Sequence, residues 1–228
     1  DPSADGALDA RFGPDGVVAG KLENRRQLAR RLSLVVGPRT LLVAAGPLPG
    51  GREGRAFVDA IVASTRLDVA FVIAAGGDRA MTEAARVAAI ENPSHIAVLP
   101  TNDEGSWRQL LAAADAVLLP TADPWARGAG LAQRYGALPL APSTGAFADY
   151  LVDFDGGSRT GSALLFPPAE GGGIAHVLTR AAVLRGQSDL WSALAAQLMA
   201  AAPSWASAAT QVEALRQSVE HDESVDAA

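Results

Sequence analysis

A chain of 228 residues that is 49% apolar holds enough material for one large core or two small ones. Its apolar runs are short and interrupted, as by Asp115 inside LLAAADAVLLP, and none reaches the roughly 18 residues a membrane span needs. A net charge of −6 argues against non-specific nucleic-acid binding, which neutralises phosphates with Lys and Arg.

Cysteine is absent, which excludes disulfides and thiolate metal sites. His95, His176 and His221 stand too far apart in sequence to point to a shared metal. Lys21 is the sole lysine, every other fixed cation being Arg. No charged-then-apolar leader opens the sequence, so no export signal is expected. With the acidic balance, this predicts a cytoplasmic protein without membrane or nucleic-acid partners.

In chain order, LLVAA (41–45) reads as a buried strand. A helix follows over REGRAFVDAIVAS (52–64), with Phe57, Val58, Ile61 and Val62 on one face. DVAFVIAAGG (68–77) is a second strand ending in glycines, and Asp78 is placed to cap the helix after it. HIAVLP (95–100) is a third strand, and the next helix sets Trp107, Leu110, Leu111 and Ala114 at i, i+3, i+4, i+7. DAVLLPT (115–121) is a fourth strand, followed by a helix to Gly136 and the short strand LPLA (138–141). A polar loop, DFDGGSRTGS (153–162), leads to a strand at ALLF (163–166), then to helices over 171–185, 189–201 and 204–218, and to an acidic, frayed tail.

Strand–helix units with continuous apolar strands predict a doubly wound α/β domain, its parallel sheet covered on both faces. Ligands bind such sheets beyond the carboxyl ends of the strands. The segments that matter are therefore 46–54, 75–78, 100–105 and 121–130, with 142–146 behind the last.

These segments bear a specific resemblance. GKLENRRQLARRLSL, AAGGD, AAADAVLLPT, RYGALPLAPSTGAFAD and DLWSALAAQLMAAAPSWASAA follow, in order and with near-gapless spacing, motifs of bacterial glycogen synthases and plant starch synthases that use ADP-glucose. The opening DPSADGALDARF is similar to the segment that joins that family's two domains. The resemblance implies a GT-B glycosyltransferase. Its C-terminal, Rossmann-like lobe carries extra C-terminal helices and holds the nucleotide sugar. The matching division is a connecting segment at 1–20, the nucleotide-sugar-binding domain at 21–218 and a disordered tail at 219–228. The enzymes concerned transfer glucose to an α-1,4-glucan with retention and use no metal or other cofactor. An N-terminal lobe, absent from this sequence, would complete the site, and the domain alone is not expected to turn over.

The positions that do chemistry depart from the family. After its first strand the family carries SRL..QKG, whose Arg and Lys neutralise the departing diphosphate. Here the loop is GPLPGGREG. With Gly54 on the family Gly, Leu48 falls at the Arg and Glu53 at the Lys, leaving Arg52 as a substitute cation. Gly46 and Gly51 also have the spacing of a phosphate-binding loop, but Arg52-Glu53 follows instead of Lys-Ser/Thr, so a plain strand-to-helix turn is the better account. AAGGD puts Gly77 on a loop glycine of the family's LGAGD. PTNDEG puts Asn102 at a Tyr that packs near the adenine and keeps Glu104; a polar loop with Asn102 or Asp103 capping the next helix explains it as well.

In DPWARGA, Asp123 falls on the Glu that contacts the transferred glucose, one methylene shorter. Ala126, Arg127 and Gly128 fall on Gly-Leu-Thr, whose amides bind phosphate at a helix start. Arg127 is a new candidate phosphate contact. Thr144 and Gly145 are kept from the family's TGG. Asp149 is kept too, where a structural role serves equally. Two readings follow: an ADP-glucose-dependent α-glucan synthase lobe with an altered site, or a catalytically silent GT-B module that binds glucan, a nucleotide or a partner protein. A donor other than ADP-glucose is a third reading.

Overall fold

In the computed structural model the structure describes residues 1–100, 103–119, 127–167 and 171–202, together with 209, 210, 212–214 and 216. Among these, six strands form one parallel sheet: β1 (Leu41–Ala45), β2 (Val69–Ile73), β3 (Ile96–Val98), β4 (Ala116–Leu118), β5 (Leu138–Pro142) and β6 (Leu164–Phe166). Their spatial order is β3-β2-β1-β4-β5-β6. The order reverses between β1 and β4, and at such a switch point the loops leaving two neighbouring strands diverge and open a crevice.

The helices are α1 (Val17–Leu32), α2 (Gly51–Ser64), α3 (Arg79–Glu91), α4 (Glu104–Ala113), α5 (Arg127–Arg134), α6 (Ala146–Tyr150), α7 (Gly171–Arg185) and α8 (Ser188–Ala201). Alternation along β1 divides the core. Leu41, Val43 and Ala45 face a layer built from α2, α3, α7 and α8, with Phe57, Ile61, Leu178 and Trp191 among its members. Leu42 and Ala44 face the opposite layer, with Leu28 of α1, Leu110 and Leu111 of α4, and Ala129 and Ala132 of α5. Every β1 residue is buried, which is why its sequence is apolar without interruption.

The doubly wound architecture agrees with the sequence. Three predicted strands are longer than their ladders. Residues 74, 99 and 119 add a single backbone bond each, to Ala45 O, Ile73 O and Leu140 O. After Ala74 the chain turns through Gly76 and Gly77, both at positive φ, into α3. The helix leading to Gly136 ends because that glycine adopts a φ of +64°. There the Ala137 amide reaches back to Ala132 O at 2.9 Å and the Gly136 amide to Gln133 O at 2.8 Å, a Schellman closure. The helix predicted over 204–218 and the tail fall largely or wholly outside the described residues.

The first sixteen residues lie against the domain. Phe12 is buried where Gly20 leaves room: a Cβ at Gly20 would sit 2.3 Å from the Phe12 Cβ. Asn24 exchanges two bonds with the Ala10 backbone. The Tyr135 hydroxyl donates to the Asp5 carboxylate at 2.6 Å. Burial, and then that bond, push the Tyr135 phenol above its ordinary range.

Candidate functional site

The carboxyl edge of the sheet gathers the predicted positions that the structure describes. The loop after β1 runs over Gly46–Gly50 and leads into α2. Arg52, second in that helix, is exposed. The helix opens at Gly50, whose lack of a side chain leaves it without a capping group of its own. Such an end favours an anion, the more so beside a guanidinium.

Leu48, at the position where the resemblance puts an arginine, is only 1% exposed and belongs to the core. Its backbone pairs with Gly77 of the next loop in a short parallel bridge, and the Asp78 amide donates to its carbonyl at 3.0 Å. Gly77 has a φ of +75°, and a Cβ there would lie 2.2 Å from Leu48 O. The loops after β1 and β2 are thus zipped together, and the glycine permits the close approach. Gly54 does the same at the start of α2, where a Cβ would meet Pro49 O at 1.9 Å.

Two other helix starts are filled from within. Asp78 caps α3, as predicted, accepting from the Met81 amide at 3.0 Å. Asp103 caps α4 through the Ser106 amide at 2.9 Å. Glu104, the first residue of α4, is ion-paired with Arg108 at 2.6 Å on an open surface. Arg127 and Gly128 stand in the first turn of α5, Arg127 exposed. Thr144 is half-buried, its amide bonded to Pro142 O, and Gly145 turns the chain into α6 with a φ of +54°. Asn102, Asp123 and Ala126 lie outside the described residues. Among the described residues no group of three His, Asp or Glu is placed to hold a metal ion, and no helix is long and apolar enough to cross a membrane.

The glycogen synthase of Anaeromyxobacter dehalogenans strain 2CP-C is 32% identical over 94% of this chain, and that of Halorhodospira halophila is 28% identical over 96%. The catalytic domain of starch synthase IV from Arabidopsis thaliana, solved with ADP and acarbose, superposes over 94% of the chain with a TM-score of 0.82 and 26% identity. The chain is a relative of the glycogen and starch synthases. Its fold is the Rossmann-like C-terminal lobe of a GT-B glycosyltransferase. No family model matches it. The chain spans about half the length of the curated relatives it matches, 45–46% of each of the two glycogen synthases above.

Polar residues within the shared motifs do work that the sequence did not reveal. In GKLENRRQ, Lys21, Asn24 and Arg25 are all buried. The Lys21 ammonium donates to Leu111 O at 3.1 Å and Tyr135 O at 2.8 Å, tying α1 to the ends of α4 and α5. Arg25 is ion-paired with Asp115 and bonds Thr40 O and Gly37 O. Asp115 also accepts from the Leu42 amide at 2.8 Å and lies 3.2 Å from the Arg185 Nε. Burial brings the Lys21 amine down to about 7 despite the nearby Asp115. The available signal was position: residues 17, 21, 24 and 28 share one helical face, and two of the four are apolar core residues.

Proposed function

We propose that this chain is the donor-side lobe of a nucleotide-sugar-dependent glucosyltransferase that takes ADP-glucose and extends an α-1,4-glucan with retention. The observation that carries the proposal is the match, along almost the whole chain, to a catalytic domain solved with ADP and acarbose. In this reading the diphosphate lies over the start of α2, between Arg52 and Arg127, with the first turn of α5 at Arg127 and Gly128 beneath it and Ala126 as a further contact. Thr144 and Gly145 border the phosphates from the β5 side. Gly77, whose missing side chain lets the loops after β1 and β2 close together, borders the donor through its backbone. Asn102 and Glu104 border the base and ribose, and Asp123 holds the transferred glucose. A second GT-B lobe would close the cleft and carry the glucan path, in a protein that works in the cytoplasm.

The chemistry asked of this lobe is electrostatic. A retaining transfer without a metal needs fixed positive charge where the diphosphate departs, and one such preorganised group is typically worth about 10²–10³ in rate. In this reading two exposed arginines on helix starts supply that charge, from different positions than the Arg and Lys that the resemblance puts in the loop after β1.

One observation favours the second reading, a silent module. The residue at the family's arginine position is a core leucine, and a carboxylate, Glu53, occupies the lysine position. Calorimetry separates the two. ADP or ADP-glucose binding at or below about 1 mM, the upper end of typical KM values, supports a working donor site; no heat at millimolar ligand supports the silent module. In a protein carrying both lobes, incorporation of labelled glucose into glycogen tests turnover. Asp123→Ala should abolish it without lowering Tm if Asp123 contacts the sugar.

A further inference from the structure

At the amino ends of the strands, the edge opposite the candidate site, α1, α8 and the residues preceding β1 and β4 enclose a cavity of about 270 Å³. Its walls are mostly apolar, with Val17, Val18 and Leu22 from α1, Pro38, and Trp191 and Ala195 from α8, interrupted by Ser188 and Ser192. Val18 and Leu22, one helical turn apart at the rim, are 55% and 43% exposed. The charged residues that line it are Lys21, Arg25, Arg185 and Asp115.

Two guanidiniums, both ion-paired with Asp115, and the Lys21 amine therefore surround one carboxylate. None of the three is a loose surface side chain. Lys21 is held by two carbonyls, Arg25 by Thr40 O, Gly37 O and Asp115, and Arg185 by Pro38 O at 3.0 Å with its guanidinium 5.9 Å over the Trp191 ring. Lys21 uses two N–H donors and has a third when protonated; Arg185 carries five, gives one to Pro38 O and sets its Nε 3.2 Å from Asp115. Donors are left over, already oriented, beside a surplus of positive charge in a partly desolvated space. An anion gains most from such an arrangement, because fixed donors cost no reorganisation.

The walls restrict which anion. A free phosphate exposes acceptor oxygens in every direction and would leave several of them against valine, leucine and tryptophan, unpaired. A carboxylate directs its charge to one end and leaves the rest of the molecule apolar. The volume, set against about 30 Å³ per water in the liquid, corresponds to roughly nine non-hydrogen atoms. We infer that this cavity is a binding site for a small monocarboxylate with a compact apolar or aromatic body, its carboxylate on the Lys21–Arg25–Arg185 side and its body between Leu22 and Trp191.

The probe is 4-fluorobenzoate, with 4-fluorobenzyl alcohol as its uncharged counterpart, each titrated into the 228-residue chain and followed by fluorine NMR. Ser192→Trp fills the cavity from α8 and Leu22→Trp from α1; both positions are partly exposed, and circular dichroism establishes that each variant is folded. The expected result is a saturable shift for the carboxylate, with affinity at least tenfold weaker for the alcohol and for whichever variants fold. Three results overturn the inference: no saturation by about 10 mM, ten times a millimolar Kd; less than tenfold discrimination against the alcohol; or less than tenfold loss in a folded variant.

Discussion

Replacing Lys21 by Met tests the buried lysine through the pH dependence of stability. In the folded chain the amine titrates near 7, whereas the unfolded chain holds its proton up to the ordinary lysine value of 10.5. Between those limits the unfolded state binds more protons, so stability rises with pH. Integrated from pH 7 to pH 9, a single group with this shift adds about 2 kcal/mol to the wild-type chain. The Met variant lacks the group and loses this increment. It also strips Leu111 O and Tyr135 O of their lysine donor, at about 1–3 kcal/mol for each buried carbonyl left unmet. At pH 9, with the lysine neutral, the variant should therefore be less stable by about 2–6 kcal/mol. At pH 7 the deficit should shrink by about 2 kcal/mol, because wild type then bears the cost of a buried charge. Urea unfolding of both proteins at pH 7, 8 and 9 measures the difference directly. A deficit that stays constant across that range would refute the reasoning, since it would mean that Lys21 keeps the same pKa folded and unfolded.

Gly54→Ala should destabilise by about 2–3 kcal/mol in urea unfolding, the cost of overpacking against a backbone oxygen that cannot give way without moving the loop after β1. Asp78→Ala removes the cap of α3 and should cost about 1 kcal/mol in the same assay. Arg52→Ala should weaken ADP binding by about tenfold in calorimetry while leaving unfolding within about 0.5 kcal/mol of wild type. Leu48→Arg, which restores the family's residue type, should lower stability by about 3–5 kcal/mol without improving ADP affinity, because it places an unpaired charge in the core.

Period and punctuation carried most of the architecture. LLVAA stands in the sheet with the bounds its apolar run predicted, and Asp78 caps its helix because an aspartate before a helical period has one favourable use. Strand ends were less readable. Ala74, Leu99 and Leu119 are buried like strand residues, yet they have already left the ladder, and hydropathy does not separate burial from pairing. The buried lysine and arginine of α1 were hidden for the opposite reason. Charge on a helix ordinarily means a solvated face, and only the tertiary placement of Leu111 O, Tyr135 O and Asp115 turns these residues into core members. At the candidate site, spacing against the family assigned residues to positions but could not assign depth. Arg52 and Leu48 stand four residues apart in one loop-to-helix turn, and only the structure shows that the first is exposed and the second buried.

The burial of Leu48 bears on how such a site changes. Had an exposed leucine merely replaced an arginine, the loop would keep its path and the cation could return at little cost. Instead Leu48 packs with the core, its backbone is bridged to Gly77, and the Asp78 that caps α3 also donates its amide to the Leu48 carbonyl. The same few residues that close this loop hold the adjacent helix start. An arginine at 48 would have to break that closure to reach the crevice, so in the proposed reading the diphosphate is left to Arg52 and Arg127, which stand on helix starts and need no rearrangement of the core to meet an anion. A residue on a helix start can change its partner freely, whereas one absorbed into the core, as Leu48 is, binds the fate of the loop to the stability of the domain.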